Sequence, residues 1–270
     1  LRTSNPQNNM SAFVSVKDQK SGKTILGAED GVNQSYYDLL FYVDATPGSS
    51  IDDPERPSIP DEGDKEEPKP DEDENVTGTL AFEDIWPSGG DYDMNDVIVE
   101  YERKVYFDKK NIVTKIVDEF TPVHDGATYV NAFAYQIDAA QIGDKITLPE
   151  GAILEKETSS IIVMSNAKQN IGNKYVVTRE FNGSFLKNQL LSYNPYIIVK
   201  YSQGEQNRTE VHLPKHKATA YANQSLIGSN DDAYYIDRKG AYPFAIDIPM
   251  LGFTPVTERN RIDSQYPGFA

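Results

Sequence analysis

The chain of 270 residues contains no cysteine, and it has only three histidines and one tryptophan. The absence of cysteine excludes a disulfide scaffold and a zinc–thiolate site. Because cytosolic proteins usually carry a few thiols, the same absence favours export over a cytosolic location. Helix-favouring residues do not dominate the body of the chain, whereas 17 tyrosines and 11 phenylalanines favour strands.

Long hydrophobic runs are also absent. Tyr196–Val199 is among the longest, far below the roughly 20 residues needed to span a bilayer. No signal peptide is visible at Leu1, so for an exported protein we expect a signal or lipoprotein segment that has been trimmed from this sequence. Contact with a membrane is then expected only through that N-terminal anchor, with the protein itself at the cell surface or outer membrane.

Basic residues are outnumbered by acidic ones, 26 to 42, and the net charge is −16. Such a balance argues against nucleic-acid binding, because phosphates would be repelled. Between Ile51 and Asn75 twelve acidic and three basic side chains contribute −9 of this charge. We therefore divide the chain into a short N-terminal β unit (residues 1–47), an acidic, proline-rich linker or loop (48–76) and a main domain (77–270). The short unit is either part of a truncated domain or a set of added strands, and a diffuse cation sink is the functional alternative for the linker.

Short strand patterns separated by turn residues predict an all-β protein, a jelly-roll-like β-sandwich with long loops. Val97–Phe107 and Ile112–Phe120 flank the turn-like tetrad Asp108–Asn111, which predicts a hairpin. Further strands are expected at 11–16, 38–43, 130–137, 145–148, 161–164, 174–181, 196–201, 210–213 and 244–248. Helix is expected to be minor, with Phe185–Ser192 the best candidate.

Two segments resemble each other. Residues 24–30 (TILGAED) are similar to residues 79–84 (TLAFED), and each is followed by a polar loop and an acid-led strand. The first copy lacks carboxylates at the places of Asp91 and Asp93. Either this is a degenerate repeat, or two β-loop-β units are similar by chance.

The densest polar cluster outside the acidic linker lies between Phe82 and Asp96. It holds the only tryptophan, and its oxygen-bearing candidates for a metal site are Glu83, Asp84, Asp91, Asp93, Asn95 and Asp96. Like charges this close repel each other, and a hard divalent cation would stabilise them. Calcium takes 6–8 oxygen ligands, whereas magnesium tends to keep its waters. The sequence therefore predicts a Ca²⁺ site, although acids in loops also cap backbone N–H groups without any ion.

An EF-hand is not the expected form of this site. Asp91, Asp93 and Asn95 have the spacing of an EF-hand start, but Asp96 stands where that loop needs glycine. A β-branched strand follows instead of a helix. We expect a loop that leads directly into a strand, anchored on the core by Phe82, Ile85, Trp86 and Met94, with Asp96 bonding free backbone N–H groups.

The segment FEDIWPSGGDYDMNDVIVEYE resembles the opening signature of LruC-domain proteins. Supporting similarities extend the resemblance over about Thr77 to Ala270, at Val130–Gln136, Val211–Pro214, Tyr242–Pro249 and Tyr266–Phe269. The resemblance implies an exported lipoprotein or surface protein of Bacteroidetes or similar bacteria, and it implies no established molecular activity.

No catalytic motif stands out. His212 and His216 are separated by Pro214 and are expected to be surface or loop residues. We interpret the chain as a non-enzymatic surface protein with an adhesive or structural role and a calcium-type loop. A carbohydrate-binding module of a surface glycan system is the first alternative, and a hydrolase using acids near Asp91 is the second. The expected partner is a surface glycan or a protein ligand.

Overall fold

The computed structural model describes residues 13–18, 24–28, 39–43, 58–59, 72–183, 185–239, 242–267 and 269. The chain divides into two compact units, Leu1–Pro70 and Asp71–Ala270. No helix in the described part of the chain combines the length and the apolar character that crossing a membrane requires.

The first unit contains a four-stranded sheet in the order β3-β2-β1-β4. Its strands are β1 (Phe13–Asp18), β2 (Thr24–Ala28), β3 (Leu39–Val43) and β4 (Ser58–Ile59). Neighbours are antiparallel except β1 and β4, which are parallel. The strands predicted at residues 11–16 and 38–43 are confirmed by β1 and β3, with boundaries shifted by one or two residues.

Most of the predicted linker, residues 48–57 and 60–71, lies outside the described residues. Two parts of this segment are described. Ser58–Ile59 forms β4, and the next strand begins at Glu72.

The two β-loop-β units of the suspected repeat share one register. With their acidic pairs aligned, Ala28 corresponds to Phe82, and Leu39 and Val97 are the first residues of the strands that follow the two loops. Ala28 pairs with Leu39 across β2 and β3, and Phe82 pairs with Val97 across the equivalent strands of the second unit. The first connecting loop, residues 29–38, lies outside the described residues. Because the adjoining ends of consecutive antiparallel strands pair in any β-loop-β unit, this register does not distinguish a repeat from chance similarity.

The second unit has two antiparallel sheets. The six-stranded sheet has the order β15-β5-β6-β7-β12-β9, formed by β5 (Glu72–Phe82), β6 (Val97–Phe107), β7 (Val113–His124), β9 (Lys145–Thr147), β12 (Tyr175–Glu180) and β15 (Ala245–Ile248). The five-stranded sheet has the order β10-β11-β8-β13-β14, formed by β8 (Ala132–Gln136), β10 (Ile153–Glu155), β11 (Ser160–Met164), β13 (Asn194–Val199) and β14 (Thr209–His212).

Apolar side chains from both sheets form one core, which confirms the all-β sandwich. The six-stranded sheet contributes Leu80, Phe82, Ile98, Phe120 and Val177, and the five-stranded sheet contributes Phe133, Tyr135, Ile161, Ile197, Val199 and Val211. Alternation explains this division, since successive side chains of a strand point to opposite faces. In β7, for example, Ile116, Asp118, Phe120 and Pro122 are buried and the residues between them are partly exposed.

Helix is indeed minor in the described residues. The α-helix α1 spans Ile262–Gln265, and short 3₁₀ helices span Ala139–Gln141, Lys168–Asn170, Lys187–Gln189 and Gln224–Leu226. The prediction of a helix at Phe185–Ser192 is therefore wrong, since only one 3₁₀ turn, Lys187–Gln189, forms there. Gln189 Oε1 accepts from the backbone N–H of Leu186 at 2.9 Å, which favours a tight local turn there.

The expectation that His212 is a surface or loop residue is also wrong. His212 lies in β14 and is fully buried, because the outer face of the five-stranded sheet is covered as well. Its Nε2 lies 2.9 Å from Glu210 Oε2 and its Nδ1 lies 2.7 Å from Asn194 Oδ1. Thr219, from the segment after β14, donates to Glu210 at 2.7 Å and closes this polar cluster.

Candidate functional site at the β5–β6 loop

The loop between β5 and β6 carries all six predicted ligands. Phe82, the last residue of β5, pairs with Val97, the first residue of β6, so the loop leaves and re-enters the sheet at one point. Residues at the two ends of the loop are thereby brought together. The backbone N–H of Asp84 donates to Asp96 Oδ2 at 2.7 Å. This bond confirms that Asp96 serves a free backbone N–H group. The start of β6 at Val97 confirms that the loop leads directly into a strand.

Large side chains fasten the loop to the core. Trp86, Tyr92 and Met94 are buried, whereas Ile85 is 40% exposed, so its predicted role as an anchor is wrong. Tyr92 and Met94 have φ angles of 55° and 56°, in the left-handed region that bulky residues rarely adopt. Burial of both side chains offsets the strain of this backbone.

A second segment of the chain clamps the loop. Asp232 Oδ1 accepts from the indole Nε1 of Trp86 at 2.8 Å and from the backbone N–H of Tyr235 at 2.5 Å. Asp231 Oδ2 accepts from the backbone N–H of Gly89 at 2.9 Å. Sequence reasoning missed these two acids, and the adjacent Asp231-Asp232 pair was the signal that could have drawn attention to them.

Three of the predicted ligands converge. Glu83, Asp91 and Asp93 each place one carboxylate oxygen within 4.8 Å of the others. Glu83 is fully buried, and its Oε1 accepts from the backbone N–H of Met94 at 2.6 Å. Asp93 accepts from the backbone N–H groups of Asn95 at 3.3 Å and Arg259 at 3.1 Å. Asp91 is half-buried. The backbone bonds hold Glu83 and Asp93 in place without neutralising them.

The second carboxylate oxygen of Glu83, Oε2, is buried and has no hydrogen-bond partner. The carboxylate of Asp125 is also buried without a hydrogen bond, but the ammonium of Lys168 lies 3.7 Å from its Oδ1. Within the described part of the chain Glu83 forms no ion pair with a basic side chain. An isolated buried carboxylate of this kind is costly unless it is protonated or meets a cation.

The electrostatics of the loop reflect this crowding. Burial, followed by repulsion from Asp96, raises the pKa of Glu83 well above its usual range. Burial together with the charge of Asp91 raises the pKa of Asp93 to about 6. Burial together with the charge of Asp84 raises the pKa of Asp96 to about 7. Without a cation, the loop therefore disfavours its own full ionisation.

Asp84 and Asp96 lie outside the group of three carboxylates, and Asn95 makes structural contacts. Asp84 Oδ2 accepts from Asn131 Nδ2 at 2.7 Å, and burial raises the pKa of Asp84. Asn95 Nδ2 donates to the backbone oxygen of Val256 at 3.4 Å. Sequence reasoning assigned no role to Asn131, which lies just before β8 on the other sheet.

A cleft of about 470 Å³ opens beside the converging carboxylates. Its lining consists of Asp84, Ile85, Gly89, Gly90, Asp91, Asp96, Gly126, Thr128, Tyr129 and Glu258. A β-carbon placed on Gly90 would lie 3.1 Å from Glu83 Oε2 and 2.9 Å from Ile85 Cδ1. Glycine at this position therefore permits the backbone to pass directly over the unpartnered oxygen. Tyr129 and Glu258 were not expected at the site, because they are distant from the loop in sequence.

The donors that converge are all carboxylate oxygens. Such ligands suit a hard cation, and they suit calcium better than zinc or copper, which favour imidazole or thiolate. One oxygen from each carboxylate gives three ligands, fewer than the 6–8 that calcium takes. The chemistry of the site therefore fits a cation whose coordination is completed by other oxygens.

The fold and the cleft define a β-sandwich protein with a carboxylate-rich loop at one end of the β5–β6 pair. The chain belongs to the family described as "Domain of unknown function (DUF4842)", which matches residues 111–270. The acidic loop precedes the matched region. The resemblance to LruC-domain proteins rests chiefly on that loop and stays a prediction.

Among solved structures, the chain is similar to one described as a "Putative lipoprotein from Bacteroides ovatus". The TM-score is 0.55 and the sequence identity is 18%, over 73% of this chain and 70% of that one. At this identity the similarity supports the fold. The search of curated proteins found no match.

Proposed function

We propose that this protein is a non-catalytic, exported or cell-surface β-sandwich protein whose β5–β6 loop binds calcium through Glu83, Asp91 and Asp93. In this proposal the ion orders the loop, and the protein has an adhesive or surface-structural role. The single observation that carries the calcium site is the buried, unpartnered Oε2 of Glu83 beside two further carboxylates.

Without a cation, the converging carboxylates raise the free energy of the folded state. Three carboxylates whose oxygens lie within 4.8 Å of one another repel, and burial weakens the screening by water. A divalent cation replaces this repulsion by attraction and supplies the partner that Glu83 Oε2 lacks. Calcium accommodates the irregular geometry of a loop and accepts several protein oxygens, whereas magnesium demands a near-ideal octahedron.

The proposed location rests on sequence and structural likeness. The similar structure from Bacteroides ovatus is described as that of a lipoprotein, and the fold is similar over most of both chains. The loop motif resembles that of LruC-domain proteins, which implies export. The absence of cysteine from the sequence accords with this location.

Thermal unfolding with calcium or with EDTA tests the site. Calcium at about 100 times its dissociation constant stabilises the folded state by about 2.7 kcal/mol. We expect a rise in Tm of about 5–10 °C for a unit of this size. Titration calorimetry should give the stoichiometry and the dissociation constant.

The Glu83→Gln variant should lose most of this calcium response while retaining the shape of the side chain. In EDTA it should be as stable as the wild type or more stable, because the neutral amide is easier to bury. Glu205→Gln is the matched control, since Glu205 is an exposed acid between β13 and β14 and does not line the cleft. Identical melting curves of the wild type in EDTA and in excess calcium would refute the proposal.

A further inference from the structure

We infer that the calcium site is open toward the cleft and that its ligand is a neutral, polyhydroxylated compound, a glycan whose adjacent hydroxyl groups complete the coordination of the ion. This inference rests on the proposed calcium site and specifies the class of ligand.

The cleft gives a ligand access to the proposed calcium ion. Asp91 lines the cleft directly, and Gly90, which also lines it, lies close to Glu83 Oε2. Glu83 and Asp93 also hold backbone N–H groups, so each is constrained in the geometry it can offer. With one oxygen from each of the three carboxylates, at least three of the 6–8 positions of a calcium ion are left for other oxygens. The cleft is the route by which these oxygens reach the ion.

The negative charge of the cleft favours a neutral ligand. The cleft lining contains four carboxylates, from Asp84, Asp91, Asp96 and Glu258, and no basic residue. Lys168 and Lys200 lie outside the lining, and their two positive charges favour the ionised form of Asp84. Glu83 and Asp93 add two more beneath the lining. A single divalent cation does not neutralise this set when it is ionised, so the cleft retains a negative potential after the ion binds. Carboxylate, sulfate and phosphate ligands are therefore repelled, whereas neutral hydroxyl groups provide hard oxygen donors without this cost.

The size and the lining of the cleft suit a sugar. A volume of about 470 Å³ lies within the range of small-molecule sites, which is about 300–1,000 Å³. Tyr129 lines the cleft and is 36% exposed, and the ammonium of Lys200 lies 4.0 Å from the centroid of its ring. Lys200 therefore contacts one face of the Tyr129 ring and restrains its position. A sugar ring has an apolar face and a polar edge. The exposed ring of Tyr129 suits the apolar face, and the calcium ion beside it suits the hydroxyl groups of the polar edge.

A panel of neutral, sialylated and sulfated oligosaccharides, applied in calcium and in EDTA, tests this inference. We expect binding of neutral glycans in calcium, loss of that binding in EDTA, and no binding of sialylated or sulfated glycans. Titration calorimetry with the best oligosaccharide then compares variants. Tyr129→Ala should weaken glycan binding at least tenfold and should retain the rise in Tm caused by calcium.

Tyr106→Ala is the matched control, because Lys115 lies 4.1 Å from the centroid of the Tyr106 ring on the surface of β6 and β7. It should leave glycan binding unchanged. No binding in calcium, binding that persists in EDTA, or binding of charged glycans alone would each overturn the inference. A retained calcium response with no glycan binding refutes the ligand while the calcium site stands. Loss of the calcium response in the wild type refutes both.

Discussion

At the scale of the residue, the central feature is that the two carboxylate oxygens of Glu83 have different roles. Glu83 holds the backbone of the loop through Oε1 and presents Oε2 to no partner. Asp93 likewise joins two distant parts of the chain, since it accepts from the N–H groups of Asn95 and Arg259. These carboxylates are fixed in place before any ion arrives, which lowers the entropic cost of binding one.

The raised pKa values predict how the metal-free protein responds to pH. In the folded state the pKa is about 6 for Asp93 and about 7 for Asp96, against 3.8 for an unperturbed Asp. Between pH 4 and pH 7 the folded state therefore binds more protons than the unfolded state. The free energy of unfolding contributed by these groups falls as pH rises through this window.

Urea denaturation in EDTA at pH 5, 6, 7 and 8 measures this contribution as the difference between the wild type and Asp93→Asn. We expect the wild type to lose about 1–3 kcal/mol relative to the variant as pH rises. In saturating calcium the trend should reverse, because the ion requires ionised carboxylates. A wild type that gains stability over Asp93→Asn with rising pH in EDTA would contradict the electrostatic account.

At the scale of the element, the loop is held by contacts far apart in sequence. Asp232 is fully buried and accepts from Trp86 Nε1 and from the backbone N–H groups of Gly228 and Tyr235. The ring of Trp86 packs on Tyr235 with centroids 4.8 Å apart. The clamp fixes the start of the loop, while the pairing of Phe82 with Val97 fixes its ends.

Asp232→Asn should destabilise the fold by about 1–3 kcal/mol, because one carboxylate oxygen becomes an amide group that faces N–H donors. Thermal unfolding followed by the fluorescence of the single tryptophan measures this change. The rise in Tm caused by calcium should persist, since Asp232 is not a ligand. Asp231→Asn is the control and should cost less, because its side chain is 27% exposed. Equal losses in the two variants would argue against the clamp.

At the scale of the whole molecule, the two sheets of the second unit are joined through aromatic side chains. Phe133 of β8 lies with its ring centroid 5.1 Å from Phe120 of β7 and 6.3 Å from Phe82 of β5. Because Phe82 directly precedes Glu83, this packing also sets the position of the acidic loop. The site therefore depends on the sandwich as a whole.

Phe133→Ala should lower the free energy of unfolding by about 3–5 kcal/mol through loss of this packing and formation of a cavity. Val130→Ala, at a residue 49% exposed just before β8, should change it by no more than about 0.5 kcal/mol. Urea denaturation in calcium checks both values. Similar small losses in the two variants would contradict the assignment of Phe133 to the joint core.

Strand β6 spans Val97–Phe107, as predicted, because its apolar residues are dense and the polar tetrad Asp108–Asn111 ends it. The start of β5 at Glu72 was missed because Glu72–Glu74 reads as part of an acidic linker. These residues form a strand by pairing with the end of β6, and Lys187 Nζ lies 2.7 Å from Glu74 Oε2. The three-residue strand β10 was not predicted, whereas β9, of the same length, was expected at residues 145–148.

The sequence by itself determined the class of fold and the loop that carries the acids, because alternation of apolar residues and the density of carboxylates are local properties of the chain. Only the tertiary structure decided which acids converge and which support the backbone. The reason is geometric: Glu83 stands at the end of one strand, and the register between β5 and β6 brings it to Asp91 and Asp93. The same folding brings Tyr129 and Glu258 to the cleft from distant segments, which no local pattern encodes.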